Sequence, residues 1–394
     1  MLRLVNQTQD YAWGSPTAIP VILGAPATSE PVAELWMGAH PSAPSRVITE
    51  DGPVRLDELV RSDPVGLLGP VVLARFGPSL PYLLKVIAAD APLSLQVHPR
   101  IEQAQAGFEA EEAAGVDVTR PERNYKDRNH KPELLYALTR FEGLCGFRDP
   151  SEAAGLFADL DAPLAGSLRQ MLDSDPDPVR SVVARLLDAG TRPSAEEVDE
   201  LAAACRHRLE RGSHDPKADG TVVQLAEAYP GDPGVVMSLL LNRVTLEPGD
   251  AMFVPAGAVH AYLQGVAVEI QSSSDNVLRA GLTPKHLATA ELLATIDCTP
   301  GPPHRVSPET VDGSRVFLAP VDDFVLVVST PEDDVDRPLP GSGPRILLCL
   351  EGEFTIASAT ADLRLAQGAT AFVPASDGNL IARGRGTLVQ AGVP

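Results

Sequence analysis

The sequence predicts a mainly β protein interrupted by one inserted helical module, and three observations carry that prediction. Short apolar runs broken by Gly and Pro fill residues 1–100 and return from about residue 235 to the end, as strands and tight turns do. Between them the period changes. Val179, Val182, Val183, Leu186 and Leu187 fall at i, i+3, i+4, i+7 and i+8, one face of a helix. Finally, GDAMFVPAG at 249–257 and GATAFVPA at 368–375 share a Gly, five residues and a Pro, which two β-modules of one type would explain.

Taken in order, the early strands include VILGAP, PSRVITEDGP, PYLLKVIAAD and APLSLQVHP, with a short helix over 55–67. In LSLQVHP, residues two apart share a strand face. Leu93, Leu95 and Val97 therefore form an apolar face, and Ser94, Gln96 and His98 a polar one. Residues 101–123 are polar and alanine-rich and read as an exposed helix, with Gly115 as a stop. In the helical module, Asp177-Pro178 supplies a cap and first turn, and Gly190 an end. Ser194 and Glu197 form a capping box ahead of the stripe Val198, Leu201, Ala202 and Cys205. Strands return in VVMSLLLNRVTLEPGDAMFVPAGAVHAYLQGVAVEIQSSS, followed by a helix over 284–296 and a Pro-rich linker at 299–304. The tail carries FVLVV, RILLCLEGEFTI and LRLAQGATAFVPA. The expected division is one β domain in two parts, 1–149 and 233–298, a helical insertion at 150–232, and a second β domain at 305–394.

Composition excludes several functions. The chain has 394 residues, is 44% hydrophobic, and has a formal net charge of −21. That charge argues against nucleic acid as a partner, because phosphate backbones need basic patches, and it requires a local cationic pocket for any anionic substrate. No run reaches the roughly 18 apolar residues of a membrane span, so no membrane association is expected. The four cysteines, Cys145, Cys205, Cys298 and Cys349, form no C-x-x-C pair, and a reducing cytoplasm is the natural setting.

The chemistry concentrates in a few stretches. From Gly249 the spacing G-x5-P-x-G-x2-H ends on His260. This is the second motif of the cupin β-barrel (a jelly roll), whose histidine points inward and binds a metal. Glycines permit the turns around it. The first cupin motif normally supplies His-x-His, and here the candidate is Gln96-Val97-His98. A glutamine carbonyl oxygen is an unusual neutral ligand. In NYKDRNHKPELLYALTRFEGLCGFR, 124–148, the run from Asn129 to Glu133 gathers cations and a carboxylate. The tail motif GATAFVPASDG has no following His and no preceding Gln/His pair, so it reads as a second cupin barrel lacking metal ligands.

SLQVHP, NHKPE, PAGAVHAYLQG, SSSDNVLRAGLTPKH, AELWMGAHP and DYAWGS together closely resemble the type I mannose-6-phosphate isomerase family. The resemblance covers most of residues 1–290 and is weak over the helical module and the tail. It implies one Zn²⁺ per chain, held by Gln96, His98, Glu133 and His260. It also implies interconversion of mannose 6-phosphate and fructose 6-phosphate, a phosphorylated hexose, through an enediol. Such chemistry needs a base, stabilisation of the enediol oxygens, a ring-opening acid and a phosphate clamp. Arg279 matches the family's active-site arginine, and Lys131, His130 and Glu269 are candidates for proton transfer. Ser94, Lys85 and Lys285 are candidate phosphate contacts, and Tyr262 and Asp275 candidate pocket walls. The base is open among Lys131, His130, Glu269 and metal-bound hydroxide. His40, near Trp36, reads as structural, and His207, His214 and His304 as solvated. The competing functions are a cupin oxygenase, against which the glutamine ligand counts, and a sugar-binding cupin without chemistry.

Overall fold

The computed structural model describes residues 1–49, 52–285 and 287–394. It is mostly β. Two antiparallel sheets of 11 strands each hold the chain together. The β runs form strands because their β-branched and apolar side chains alternate between two covered faces of each sheet. Leu135 and Ala137 face one interior while Leu134 and Tyr136 pack in a core shared with the second sheet. The same alternation recurs in Leu347 and Cys349 against Ile346 and Leu348. The shared core joins the modules through Val268 and Ile270 on one side and Phe317, Phe372 and Val389 on the other.

The repeat seen in the sequence is a repeat of topology. In the first sheet Glu133–Ala137 pairs with Ala251–Val254 and His260–Ser272, while Phe141–Phe147 pairs with Leu241–Leu246. In the second, one unbroken strand, Arg345–Ala357, pairs with Thr370–Val373, Leu380–Gly392 and Asp362–Ala366. The helical module enters between Phe147 and Leu241, where the second sheet has only a turn between Ala357 and Asp362. It does not stand apart. Leu95, Val97, Leu144 and Phe147 on the outer face of the first sheet share one core with Leu168, Val182, Leu186 and Leu201 of its helices.

Within the module, Pro178–Leu187 buries the five apolar residues of its stripe, and Ala195–Arg211 carries the capping box of Ser194 and Glu197. Several boundaries move. The 55–67 helix is two helices, Leu56–Ser62 and Pro64–Phe76, the second broken at Gly69, where φ is +79°. Pro178–Leu187 stops before Gly190, on Asp188. The exposed helix runs only over Ile101–Ala113, with Gly115 just beyond it at φ +69°. The later helix is Thr289–Thr295, and His286 within the expected span lies outside the described residues. The expected linker is bound to the first sheet: Pro300 bridges Phe147, and His304–Arg305 pairs with Met252 and Phe253.

The N-terminal segment also contributes to both sheets. Leu2–Val5 pairs with Thr370–Val373 and with Arg46–Thr49, so the chain's first strand belongs to the second sheet. Periodicity could not reveal this, because a strand partner far away in sequence leaves no local signal.

Candidate metal centre and active site

Register brings the central side chains together. Leu95–Val97 lies between the start of His260–Ser272 and Leu278–Gly281, with His260 and Arg279 both opposite Gln96. Directly opposite residues share a face. Glu133 opens its strand opposite Val254 and Gln271. The approach to His260 depends on Gly257, whose φ is +86° and whose added Cβ would lie 3.2 Å from Cβ of Asp297. Its N–H donates to the His98 carbonyl at 2.8 Å, which ties the loop to the neighbouring ligand strand.

His98, Glu133 and His260 are buried, and their donor atoms lie within 4.8 Å of one another. Among the described residues this is the single such group of His, Cys, Asp and Glu. Nε2 of His98 is 3.2 Å from Oε1 of Glu133, and Nε2 of His260 is 3.4 Å from Oε2. The opposite ring nitrogens face carbonyls: Nδ1 of His98 is 2.8 Å from that of Asn276, and Nδ1 of His260 is 3.1 Å from that of Ala258. A carbonyl only accepts, so both Nδ1 atoms donate and each Nε2 presents a lone pair inward. Burial, then the charge of Lys131, pulls His98 down to about 4, which keeps it neutral at pH 7. Burial alone would raise Glu133, but the charge of Lys131 overrides it and holds the carboxyl well below its usual range. Lys131 Nζ is 3.2 Å from Glu133 Oε1. Nε2 of His98 is buried with no hydrogen-bond partner despite the nearby carboxylate. An unpartnered buried imidazole nitrogen is costly unless a further group occupies the space. Two imidazole nitrogens, a carboxylate and the Gln96 amide suit a divalent cation such as Zn²⁺.

A chain of charged groups leads away from this centre. The Tyr262 hydroxyl is 3.1 Å from Glu133 Oε2 and 3.0 Å from Glu269 Oε1. Glu269 Oε2 is 3.4 Å from Lys85 Nζ, which is 3.8 Å from Glu34 Oε2 and sits over the Trp36 ring. One phenol proton cannot be donated to two carboxylates at once, so this arrangement favours a proton on one of them. Burial and then the charge of Glu133, opposed by Lys85, push Glu269 up to about 7. A cavity of about 30 Å³ lies among these groups, lined also by Gln96, His260 and Leu93.

Most of the residues singled out in the sequence converge here. Gln96, Lys131, Glu133, His260, Tyr262, Glu269 and Lys85 all line the cavity. Ser94 lies beside them, its Oγ 3.5 Å from Gln96 Nε2. Arg279, half-buried, faces the same side from the next strand. Lys285 is exposed and is held below the usual lysine range, first by the charge of Arg279 and then by burial. Asp275 serves the framework: it accepts from Ser42 Oγ at 2.7 Å and lies 3.6 Å from Nε2 of the buried His40. His130 points elsewhere, with Nε2 3.1 Å from Oδ1 of Asp323 in the second module. Leu93 leaves the apolar face assigned to it. The strand covers only Leu95–Val97, and Leu93 packs in the cluster of Leu135 and Ala137 instead.

Sequence reasoning missed Glu34, Tyr11 and Asn276. Glu34 and Tyr11 sit in the quoted blocks AELWMGAHP and DYAWGS, but nothing local marks a side chain that reaches a site built from other strands. Tyr11 is exposed and is raised by burial and then by Glu34, with Lys85, Asp275 and Arg279 also acting on it. The Asn276 side chain bonds Lys126 N–H at 2.7 Å and the carbonyls of Asp127 and Asn129 at 2.8 Å, and so holds the loop before Glu133.

A family model for the phosphomannose isomerase type I catalytic domain matches residues 1–150. The chain is 39% identical over 394 residues to mannose-6-phosphate isomerase of Escherichia coli (strain K12), covering 99% of each chain. It is 32% identical over 401 residues to that of Rattus norvegicus, covering 94% of this chain and 92% of the relative. Among solved structures, it resembles mannose 6-phosphate isomerase from Salmonella typhimurium bound to its substrate fructose 6-phosphate and to zinc. The TM-score is 0.90 at 38% identity, over 100% of this chain and 99% of that one. A mannose 6-phosphate isomerase structure bound with zinc and yttrium aligns with a TM-score of 0.89.

Proposed function

The chain belongs to the mannose-6-phosphate isomerase family, and on that premise we propose that it interconverts mannose 6-phosphate and fructose 6-phosphate. One Zn²⁺ per chain would be held by Gln96, His98, Glu133 and His260. The observation that carries this reading is the unpartnered Nε2 of His98 facing a carboxylate, beside a relay of titratable groups.

When bound, zinc supplies positive charge that stabilises developing negative charge on the sugar oxygens. The chain's own residues do the rest. Isomerisation moves a proton between C2 and C1 and returns it, so its carrier should bind and release a proton near neutral pH. Glu269, pushed up to about 7 and bonded to Tyr262, fits that task best among the candidates. Lys131 stays in reach as a proton donor for ring opening. Burial would lower Lys85, but Glu34 and Glu269 hold it above the usual lysine range, so it serves as a fixed cation. Arg279, with Lys285 near it, would take the phosphate. Their mutual repulsion is relieved by an anion, the local cationic pocket that a chain of net charge −21 requires.

The two sheets are best read as cupin barrels, the second without a metal site. By pairing, Leu339 stands opposite Leu380 as Gln96 stands opposite His260, and Arg345 stands opposite Val373 as Glu133 stands opposite Val254. No described helix is long and apolar enough to cross a membrane, and all four cysteines are buried and unpaired. Both facts support a cytoplasmic setting. The oxygenase and sugar-binding readings lose ground to the family relationship.

A coupled assay of mannose 6-phosphate to fructose 6-phosphate tests the proposal. Turnover by the zinc-loaded chain, lost on full chelation and restored by Zn²⁺, is the expected result. No turnover with zinc present would overturn the activity. Undiminished turnover after complete zinc removal would overturn the metal.

A further inference from the structure

The second barrel holds a cavity of about 280 Å³, far larger than the one at the metal centre. Its place in the fold is informative. In the first barrel Trp36 pairs with Lys85 and Lys85 with Glu269; in the second Val316 pairs with Val327 and Val327 with Gln390. Counting two residues along each strand puts Ser314 where Glu34 lies and Ser329 where Ile87 lies. From Leu339 opposite Leu380, the same step puts Arg337 at the position of Ser94 and Ala382 at that of Tyr262. Ser314, Ser329, Arg337, Leu339 and Ala382 all line the second cavity. Glu34, Ile87, Gln96 and Tyr262 line the first. The two cavities are one place in a repeated fold, and the exchanges of Tyr for Ala and Glu for Ser are ones that open space.

The lining chemistry differs from that of the catalytic site. The buried hydroxyls of Ser314 and Ser329 meet at 2.7 Å, so each retains capacity for a further bond. Arg337 donates to Asp333 Oδ1 at 2.6 Å, yet its Nε is buried without a partner. Glu332 and Asp333 form an exposed acidic rim, and Leu339, Phe354 and Ala382 an apolar floor. Two carboxylates against one guanidinium disfavour a phosphate or sugar phosphate. Interleaved donors and acceptors above an apolar floor suit a molecule with hydroxyls on its edge and C–H groups on its face. We propose that this cavity is a second binding site, for a neutral polyhydroxylated ligand of hexose size. The inference rests on the fold repeat and the lining, not on the proposed turnover.

The test is saturation-transfer NMR and calorimetry on the full zinc-loaded chain, with D-mannose as probe. The catalytic site is first saturated by an equilibrated mixture of mannose 6-phosphate and fructose 6-phosphate. Saturable binding that survives this competitor is expected. Ser314→Ala should weaken it about tenfold, the usual effect of a lost buried hydrogen bond. Ala382→Phe should abolish it by filling the floor. Unchanged isomerase turnover verifies that each variant folds, and Ser314→Ala serves alone if Ala382→Phe does not. The absence of saturable binding, displacement by the hexose phosphates, or wild-type affinity in Ser314→Ala would each overturn the proposal.

Discussion

The two sheets use one pairing scheme to opposite ends. Where the first places His260 opposite Gln96, the second places Leu380 opposite Leu339. Where the first buries Glu133 beside Lys131 and two histidines, the second buries Arg345, bonded to the carbonyls of Gly341 and Gly378. Glu269 of the first corresponds to Gln390 of the second, opposite Lys85 and Val327 respectively. A barrel interior imposes burial but not chemistry. Apolar residues at these positions yield a close-packed core, and ionisable ones yield a strained polar cluster that a cation can relieve. The lesson is that the proposed metal centre is a set of side-chain exchanges on a repeated pairing scheme.

The sharpest way to break this comparison is to truncate register-equivalent residues in parallel. His260→Ala should lower turnover roughly a thousandfold or more, because the metal's charge stabilisation amounts to several kcal/mol, and zinc content measured by atomic absorption should fall with it. Leu380→Ala should leave zinc content unchanged and cost about 2–5 kcal/mol in urea unfolding, as large-to-small core changes do. Equal zinc loss in the two variants would contradict the assignment of the metal to the first sheet.

Next in size is Glu269→Gln, expected to lower kcat by about a hundredfold to ten-thousandfold, the range for a lost general base. The sign of its pH dependence follows from the shift. The base acts as a carboxylate, so wild-type kcat/KM rises with pH through a value at or below about 7, because bound zinc favours the anion over the shifted value of about 7. The variant should lose that limb. Gln390→Leu, at the matching position, should not alter the profile at all. A limb that persists in Glu269→Gln would move the base elsewhere.

Arg345→Met comes third. It leaves the carbonyls of Gly341 and Gly378 without this donor, at a cost of about 1–3 kcal/mol. Thermal unfolding measures it, and turnover by the folded fraction should be unchanged. The smallest effect concerns two buried thiols, one in each sheet. Burial, with Glu133 adding to it, pushes Cys145 up to about 12, and burial pushes Cys349 up to about 11. Neither should react with iodoacetamide at about pH 8 in the native protein, since the thiolate is the nucleophile. Labelling read by mass spectrometry should appear only on unfolding.

Much of the candidate site was legible because its residue types are rare in combination and their spacing follows the strand period. Gln96 and His98 stand two apart on one strand, and His260 follows a glycine-bracketed loop whose turn needs φ of +86° at Gly257. What stayed hidden depends on distant pairing. Arg279 is opposite Gln96 only because Leu278–Gly281 returns alongside it. Glu34 reaches Lys85 from a strand far upstream. The period misled at Leu93, which fits the alternation but lies beyond the strand, and adjacency in sequence does not keep His130 with Lys131, since it turns to Asp323.

By itself the sequence determined the mainly β class, the helical insertion with its capping box, the repeated Gly-to-Pro turn and the identities of the metal-binding candidates. Each of these is written in short-range spacing, which local sterics and hydrophobic burial translate directly. The tertiary structure alone decided that the first strand joins the second sheet, that the insertion shares its core with the outer face of the ligand strands, and that Tyr262 bridges Glu133 and Glu269. It also decided that one repeat encloses a metal-type cluster and the other an open cavity. These arise from long-range pairing and packing. Their energies depend on neighbours that no local window of sequence contains.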